Sequence, residues 1–387
     1  MKFVARLVCL GGAALAGCTA LPTAGPNLRQ VLDQSVTDGQ RRFDIVDVDN
    51  HVVAALLGQP VASFHTQFQK YGKPPAPTIG IGDTVAVSIW EAGGGGLFSP
   101  PSTNGSVSGG AKAVTIPDQV VTPDGAISVP FANRIKVAGR TPLQVQEEIQ
   151  QRLADKAIEP QAIVTVTRSV TDTATVSGEV VNGARIPLSV GGDHLLDLIA
   201  TAGGAKAPVY QTFVRLSRQG VTVTIPMSKL VSDPAENIYA WPGDVLTLVQ
   251  VPQTFSVFGA TGANTEVPFG AEKISLAEAL AKAGGLQDLR ADPRGVFLFR
   301  FEPSSVVSAL NAQAVPTGPN GSSPIVYRLD LREANSFFYA ARFPIEDKDI
   351  IYVSNAPLSD LQKFFTLVNT VTAPVINGFV INRAVNP

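Results

Sequence analysis

The stretch that decides the fold is Ile79–Glu91, which reads Ile-Gly-Ile-Gly-Asp-Thr-Val-Ala-Val-Ser-Ile-Trp-Glu. A Gly-Ile-Gly-Asp turn leads into a segment in which Val85, Val87 and Ile89 fall on one face. A period of two is typical of a strand with one buried face. The sequence therefore predicts a turn followed by a half-buried strand.

The segments that follow predict a second strand pair and a helix. Val120–Pro130 contains a Thr-Pro-Asp-Gly turn between two apolar runs, where Pro presets φ and Gly tolerates a positive φ. Thr141 is the predicted N-cap of a helix, with Pro142 at its first position and Gln144 completing a capping box. The apolar run at 163–167 then predicts another strand.

Strand, Asp-Gly hairpin, helix and strand, in this order, resemble the N-terminal domain of the polysaccharide export outer-membrane lipoproteins. That family translocates capsule and exopolysaccharide in Gram-negative bacteria. The runs Gly82–Trp90 and Pro123–Pro130 carry the resemblance. It implies a polysaccharide export domain at residues 78–170.

The composition favours a strand-rich protein of several compact units. At 387 residues the chain has room for two to four units, and 45% of its residues are apolar. Only 16% are charged, which suits a protein whose faces are covered by copies of itself. The net charge is −2 with no basic stripe, so we expect no nucleic-acid partner. Abundant Gly and Pro, with alternating Val and Thr, favour many short strands.

The cysteines and histidines predict neither a metal site nor a cofactor. Cys9 and Cys18 are the only cysteines, so the folded body has no disulfide and no thiolate ligands. His51, His65 and His194 stand in unrelated contexts. We expect no metal and no cofactor.

The N-terminus predicts a lipoprotein. Residues 1–17 have a positive start and a short apolar run, typical of a signal peptide, and Leu15–Cys18 matches a lipobox. Cys18 is then the lipid-attachment residue, and Thr19 after it favours sorting to the outer membrane. An ordinary buried helix ending in a chance cysteine is the alternative. Residues 18–77 are predicted to be a lipidated tether and an N-terminal strand region that packs on the domain after it.

An internal repeat follows the export domain. Val176–Val180 is echoed 81 residues later by Val257–Thr261, and Ala202–Gly204 is echoed at the same offset by Ala283–Gly285. The Ala-Gly-Gly triplets are typical of helix C-termini. The two units, 171–252 and 253–355, resemble the soluble-ligand-binding β-grasp domains of the same family.

Each repeat closes on an Asp-containing turn before an apolar strand. These turns contain Asp244 in the first repeat and Glu346, Asp347 and Asp349 in the second, where we expect a solvated loop rather than an acid/base pair. Two Gly/Ser-rich stretches, 92–114 and 303–324, are predicted to be insertions without an assigned role. The first lacks the Gly-Lys-Ser/Thr ending of a phosphate-binding loop.

The last segment, 357–381, predicts an amphipathic helix with one apolar face. At 1.5 Å per residue it reaches ~33–36 Å, close to the ~30 Å hydrocarbon thickness. A ring of such helices would place apolar faces toward lipid and polar faces toward a wet lumen. A helix packed on its own chain is the alternative, and Pro374 would kink the span. The lumen-facing candidates are Asp360, Lys363, Thr366, Asn369, Thr370 and Asn377.

The sequence contains no recognisable catalytic motif. It has no Gly-x-Ser-x-Gly, His-Glu-x-x-His or Cys-x-x-Cys pattern. Asp193 and His194 lie near Ser189, but we expect His194 in the first turn of a helix rather than in a triad. The chain is not predicted to be an enzyme.

These observations predict an α+β lipoprotein with an export domain, two β-grasp-like repeats and a C-terminal amphipathic helix. The resemblance implies a homo-oligomeric ring of about eight copies, anchored in the outer membrane with most of the chain in the periplasm, through which polysaccharide passes. It also implies an inner-membrane polysaccharide co-polymerase as partner. Two alternatives stay open: a periplasmic lipoprotein that binds a sugar or another ligand beside a separate pore, and a polysaccharide-modifying enzyme.

Overall fold

The computed structural model describes residues 25–357, except for 38–39, 60–61, 70, 93–96 and 98–111. Three predictions lie outside the described residues: the signal peptide with Cys18, the C-terminal helix beyond residue 357, and the six lumen-facing candidates on that helix. Within the described part of the chain, no helix is both long and apolar enough to cross a membrane.

The described elements are short, and strands predominate. The strands are β1 (Val36–Thr37), β2 (Gln40–Arg41), β3 (Asp44–Asp47), β4 (Thr84–Glu91), β5 (Lys112–Val120), β6 (Ala126–Val129), β7 (Asn133–Lys136), β8 (Gln161–Arg168), β9 (Thr173–Gly178), β10 (Ala184–Pro187), β11 (Thr212–Arg218), β12 (Val221–Pro226), β13 (Val245–Gln250), β14 (Thr254–Gly259), β15 (Thr265–Pro268), β16 (Ala291–Glu302), β17 (Ser323–Leu329) and β18 (Ile350–Asn355). The helices are α1 (Leu28–Asp33), α2 (Asn50–Leu57), α3 (Phe64–Gln67), α4 (Pro142–Leu153), α5 (Leu195–Thr201), α6 (Met227–Ser232), α7 (Leu276–Lys282), α8 (Ser304–Ala309) and α9 (Ala334–Arg342).

The chain forms two compact units. One comprises residues 61–251, and the other combines the residues before 61 with those after 251. The first unit contains a three-stranded and a five-stranded sheet, and the second contains a six-stranded sheet. Several sheets with few helices confirm a mixed α and β architecture.

The three-stranded sheet has the order β5-β4-β8, with both neighbours antiparallel to β4. The alternation predicted for β4 is confirmed, since Val85, Val87 and Ile89 are buried. Helix α4 covers this face with Val145 and Ile149. The capping box of α4 is also confirmed, because the Thr141 hydroxyl accepts from the Gln144 backbone N–H and the Gln144 side chain accepts in return.

The predicted Asp-Gly hairpin is wrong, although the turn itself is present. Gly125 has φ +76°, as the turn requires, but β5 pairs with β4 and β6 pairs with β7. The Gly125 carbonyl accepts from the Val137 backbone N–H, which holds β6 beside β7 instead of β5. The hairpin therefore forms one strand later, between β6 and β7.

The five-stranded and six-stranded sheets have matching strand orders. The first runs β10-β9-β13-β11-β12 and the second β15-β14-β18-β16-β17-β3. In each, the opening strand is parallel to the closing strand, through the pairs β9–β13 and β14–β18. Each also buries a short helix, α5 or α7, against one face.

The sequence predicted that the N-terminal strand region packs on the domain that follows it, and this prediction is wrong for β3. Strand β3 instead runs parallel to β17 at the edge of the six-stranded sheet. Helix α2 follows and buries Val52, Val53 and Leu56 in the core of that sheet. The pairing of β3 and the apolar face of α2 thus stabilise a position that no short-range pattern predicted.

The stretch 303–324 is not a plain insertion. It begins with α8, whose Val306 and Val307 are buried in the same core. Part of the stretch therefore contributes to the packing of the six-stranded sheet.

Candidate functional surfaces

The three-stranded sheet has one open face, opposite α4. Its exposed or half-buried side chains are mainly hydroxyls, together with Trp90 and the exposed Ile163. Ser88 and Thr115 lie 3.3 Å apart across two strands, and the Thr167 hydroxyl donates to the Asp118 carboxylate at 3.0 Å. The hydroxyl residues of this face are Thr84, Ser88, Thr115, Thr165 and Thr167.

The Gly-Ile-Gly-Asp turn is hydrogen-bonded to residues 170–171, which lead into the first strand of the five-stranded sheet. The Asp83 carboxylate is buried and accepts from the backbone N–H groups of Gly80 and Val170, both at 2.7 Å. The Thr171 backbone N–H and hydroxyl add further bonds to it. Burial alone would raise the pKa of Asp83, but these hydrogen bonds hold it below its ordinary value. The carboxylate is therefore ionised and structural at neutral pH.

The same turn occurs three times in the described chain. In each case a buried aspartate accepts the backbone N–H of the residue three positions earlier, and the residue just before the aspartate has a positive φ. These residue trios are Gly80, Gly82 and Asp83; Trp241, Gly243 and Asp244; and Glu346, Lys348 and Asp349.

Two of these aspartates hold buried arginines. Asp244 binds Arg218 through two bonds of 2.9 and 2.7 Å, and Asp349 binds Arg300 through two bonds of 2.8 and 2.5 Å. Bidentate pairs of this kind fix geometry as well as charge. The prediction of a solvated loop at 346–349 is wrong for Asp349, which is buried, while Glu346 stays exposed.

The pair in the six-stranded sheet has an additional carboxylate that sequence analysis missed. Glu302 is buried beside Arg300, and the Tyr327 hydroxyl donates to it at 2.7 Å. Burial raises the pKa of Glu302 despite the neighbouring guanidinium. Glu302 and Arg300 lie two positions apart on one strand face, so alternation could have suggested the pairing.

The outward face of the five-stranded sheet carries hydroxyl side chains among apolar ones such as Phe213 and Val245. Hydroxyls bond one another across strands, Ser177 to Thr247 at 3.2 Å and Ser217 to Thr222 at 2.8 Å. Arg215 is exposed on the same face.

The outward face of the six-stranded sheet is aromatic and partly covered. Phe297 and Tyr352 occupy it, and Val31 of α1 packs on both. The Tyr352 hydroxyl donates to the Pro26 carbonyl at 2.7 Å. The chain's own N-terminal segment therefore covers the part of this face around Phe297 and Tyr352, while Phe258 and Phe301 stay exposed.

A cleft of about 490 Å³ lies where β8 meets the five-stranded sheet. Pro77, Pro142, Leu188 and Val190 contribute its apolar walls, and Asp172 a polar one. Burial raises the pKa of Asp172, and the negative charges of Asp83 and Asp193 raise it further. The other carboxylate in the described lining is that of Asp83, and its oxygens are occupied by the hydrogen bonds given above. The described lining therefore offers no acid/base pair.

The residues that most resembled a catalytic set do not form one. His194 is the N-cap of α5, and its ring lies 4.0 Å from the Tyr239 ring. The Ser189 hydroxyl donates to Asp193 at 2.8 Å rather than to the histidine. In the described ranges no group of three His, Cys, Asp or Glu side chains is placed to hold a metal ion.

Comparison with known proteins identifies the class to which this architecture belongs. Residues 72–167 match the family model described as polysaccharide biosynthesis/export protein. Residues 173–226 and 253–353 each match an SLBB domain. The first match covers the sheet that the sequence assigned to an export domain.

Whole-chain relatives agree. The chain is 38% identical over 392 residues to the capsule polysaccharide export outer membrane protein CtrA of Neisseria meningitidis serogroup B, covering 98% of this chain and 97% of the relative. It is 35% identical to the capsule polysaccharide export protein BexD of Haemophilus influenzae, covering 97% and 96%. The Vi polysaccharide export protein VexA/TviF of Salmonella typhi is 31% identical, covering 78% and 80%. The chain belongs to the polysaccharide export protein family, and the resemblance noted in the sequence is confirmed.

Proposed function

We propose that this protein exports a capsular or extracellular polysaccharide across the outer membrane. The observation that carries the proposal is the similarity to CtrA and BexD over nearly the whole of all three chains. The role is transport rather than catalysis, in line with the family match.

The described surfaces support this role. A passing polymer must touch its conduit without being held, and flat faces of short hydroxyl side chains offer replaceable hydrogen bonds. Two such faces exist, on the three-stranded sheet around Ser88 and Thr115 and on the five-stranded sheet around Ser177 and Thr247. We propose these faces as the surfaces that meet polysaccharide or water.

The finer parts of the proposal concern anchoring and assembly. Cys18 carries the acyl chains, and copies assemble into a closed ring of about eight through heterologous contacts. The C-terminal helix, 357–381, supplies the membrane-level wall, with its polar residues facing the lumen. An inner-membrane polysaccharide co-polymerase docks at the periplasmic end. The export domain (78–170) and two β-grasp repeats (171–252 and 253–355) form the periplasmic body.

Cysteine accessibility along 358–381 tests the membrane-level wall. The mature chain has no cysteine other than Cys18, so single substitutions can be labelled in intact cells with an impermeant thiol reagent. We expect labelling at Asn369, Thr370 and Asn377, and none at the matched apolar positions Val368 and Val375. Absence of labelling throughout the segment would contradict a spanning helix.

Deleting the protein separates export from its alternatives. Export predicts that polymer accumulates in the periplasm and is lost from the cell surface. A large species in mild detergent supports the ring. A monomer, together with normal surface polymer in the deletion strain, would instead support a periplasmic ligand-binding lipoprotein.

A further inference from the structure

One end of the six-stranded sheet is the end at which its last strand in sequence, β18, finishes. Strand β18 finishes at Asn355, and the Ala356 backbone N–H donates to the Arg290 carbonyl at 2.7 Å, just before β16 begins. The Leu331 backbone N–H, just after β17, donates to the Pro293 carbonyl at 2.8 Å. We call this the exit end and define it as residues 289–294, 330–338 and 355–357.

Helix α9 begins at the exit end and runs away from it. It starts five residues after β17 finishes and, at 1.5 Å per residue, is about 13 Å long. Beyond its other end, the Pro344 carbonyl accepts from Arg300, near the far end of β16. The first half of α9 therefore belongs to the exit end.

The exit end exposes large apolar side chains. Leu289 is 75% exposed, and Phe338 and Phe337 of α9 are 71% and 58% exposed. The opposite side of α9 is packed, since Ser336 and Ala340 are buried. Adjacent exposed phenylalanines on a well-packed helix mark a contact surface rather than a packing fault.

Basic side chains border this apolar group. Arg294 binds Asp292 and Arg332 binds Asp330, each through two side-chain bonds, so both guanidinium groups are held at fixed positions. Exposed phenylalanine and leucine with arginine nearby occur on surfaces at a lipid interface, and here an aspartate balances the charge of each arginine.

The length of chain outside the structure places this surface near a membrane. The Pro26 carbonyl is held by the Tyr352 hydroxyl, and Tyr352 lies three residues before the end of β18. Cys18 precedes Pro26 by eight residues, which reach at most about 29 Å. Pro357 leads directly into the segment predicted to span the membrane. Both chain ends therefore tie the six-stranded sheet to the bilayer.

We propose that the exit end lies against the periplasmic leaflet of the outer membrane, with Phe337 and Phe338 inserted among the lipid headgroups. The occupant of this surface is lipid rather than a second copy of the chain. The proposal rests on the proposed acylation of Cys18 and on the proposed membrane-level helix after Pro357. It adds a second, non-covalent attachment that would fix the orientation of the domain as well as its distance from the bilayer.

Depth-dependent fluorescence quenching tests the proposal on the full-length acylated protein in liposomes. A Phe338→Cys variant carries an environment-sensitive thiol dye, and spin-labelled lipids report its depth. Phe301→Cys is the matched control, because Phe301 is 57% exposed in the same sheet but lies at the opposite end of β16. We expect blue-shifted emission with at least a twofold stronger quenching by headgroup-level spin labels at position 338 than at position 301.

Three results would overturn the proposal, and they differ in what else they affect. Equal, weak quenching at both positions in protein that floats with liposomes leaves the membrane anchoring intact and removes the lipid contact. A blue shift without lipid quenching assigns the surface to a neighbouring copy. Protein that fails to float rejects both the proposed anchoring and the contact that rests on it.

Discussion

Arg300 is a buried cation whose strongest ion pair is the bidentate one with Asp349. Replacing Asp349 by Asn removes the charge of the bidentate partner and leaves the guanidinium with only the longer contacts to Glu302, at 3.4 Å, and Glu346, at 3.3 Å. Because an unpaired buried charge is costly, we expect a loss of about 3–5 kcal/mol in the free energy of unfolding. Urea denaturation of the purified protein measures this loss.

A neighbouring carboxylate supplies the control for this change. Glu346 also approaches Arg300, at 3.3 Å, but it is exposed. Glu346→Gln should cost at most about 1 kcal/mol. Equal losses in the two variants would contradict the view that Asp349 is the main partner of the arginine.

Asp83 should make stability depend on acidity. Its pKa in the folded protein lies below the ordinary value of 3.8, so its contribution is present above that value and is lost as the pH falls through the lower, folded pKa. Asp83→Asn should therefore lower the free energy of unfolding by about 2–3 kcal/mol at pH 7. The difference from the unsubstituted protein should shrink as the pH falls below about 4.

Asp172 should affect the pH dependence of stability in the opposite direction to Asp83. Its pKa is raised by burial and by two nearby carboxylates, so its ionisation opposes folding as the pH rises above its ordinary pKa. Asp172→Asn should raise the free energy of unfolding at pH 7, by up to about 0.5 kcal/mol, and leave it unchanged near pH 3. Denaturation curves at the two pH values distinguish it from Asp83; a loss at pH 7 would contradict the assignment.

At the scale of elements, each SLBB-matching sheet depends on a glycine at the end of its opening strand. Gly259 has φ +96°, and an added Cβ would lie 2.0 Å from the Val353 carbonyl oxygen of β18. An added Cβ at Gly178 would likewise lie 2.0 Å from the Leu248 carbonyl oxygen of β13. Gly259→Ala must therefore separate β14 from β18, and we expect a loss of more than about 3 kcal/mol or failure to fold.

The control for this change is a glycine in open surroundings. An added Cβ at Gly72 meets nothing within 4 Å. Gly72→Ala should change the free energy of unfolding by no more than about 0.5 kcal/mol. Comparable losses at both positions, measured by thermal unfolding, would show that the close approach in β14 is relieved elsewhere.

Elements could be predicted from the sequence where their causes are local. Strand β4 follows from its alternation, and the start of α4 from Thr141 and Gln144. The partner of β6 could not be predicted, because a turn sequence determines where the chain reverses but not which strands pair after it. The burial of Asp349 was missed for a related reason, since its arginine lies 49 residues earlier.

At the scale of the molecule, the N-terminal segment completes the six-stranded sheet. Strand β3 covers the edge of β17, and α1 covers Phe297 and Tyr352. A mature chain lacking residues 25–47 should expose that edge and face. We expect aggregation and at least a severalfold increase in binding of a hydrophobic dye. A soluble truncated protein with unchanged dye binding would contradict this account.

The surfaces proposed to meet polysaccharide were harder to predict than the fold. Polar candidates from Asp360 to Asn377 followed from a helical period and lie outside the described residues. The hydroxyl faces around Ser88 and Ser177 were not singled out, because Ser and Thr alternate in ordinary solvated strands as well. Only the strand pairing shows that these residues form continuous faces.

The placement of β3 also constrains the order of events during biogenesis. Strand β3 is among the first parts of the mature chain to leave the translocation machinery, yet its partner β17 emerges some 280 residues later. The intervening residues 61–251 form a compact unit of their own. The early segment must therefore stay unpaired, with core residues such as Val52, Val53 and Leu56 still exposed, while a whole unit is synthesised and folds. A periplasmic chaperone that binds extended chain would find its longest-lived client segment in residues 28–57, and the proposed acylation of Cys18 would precede completion of the fold.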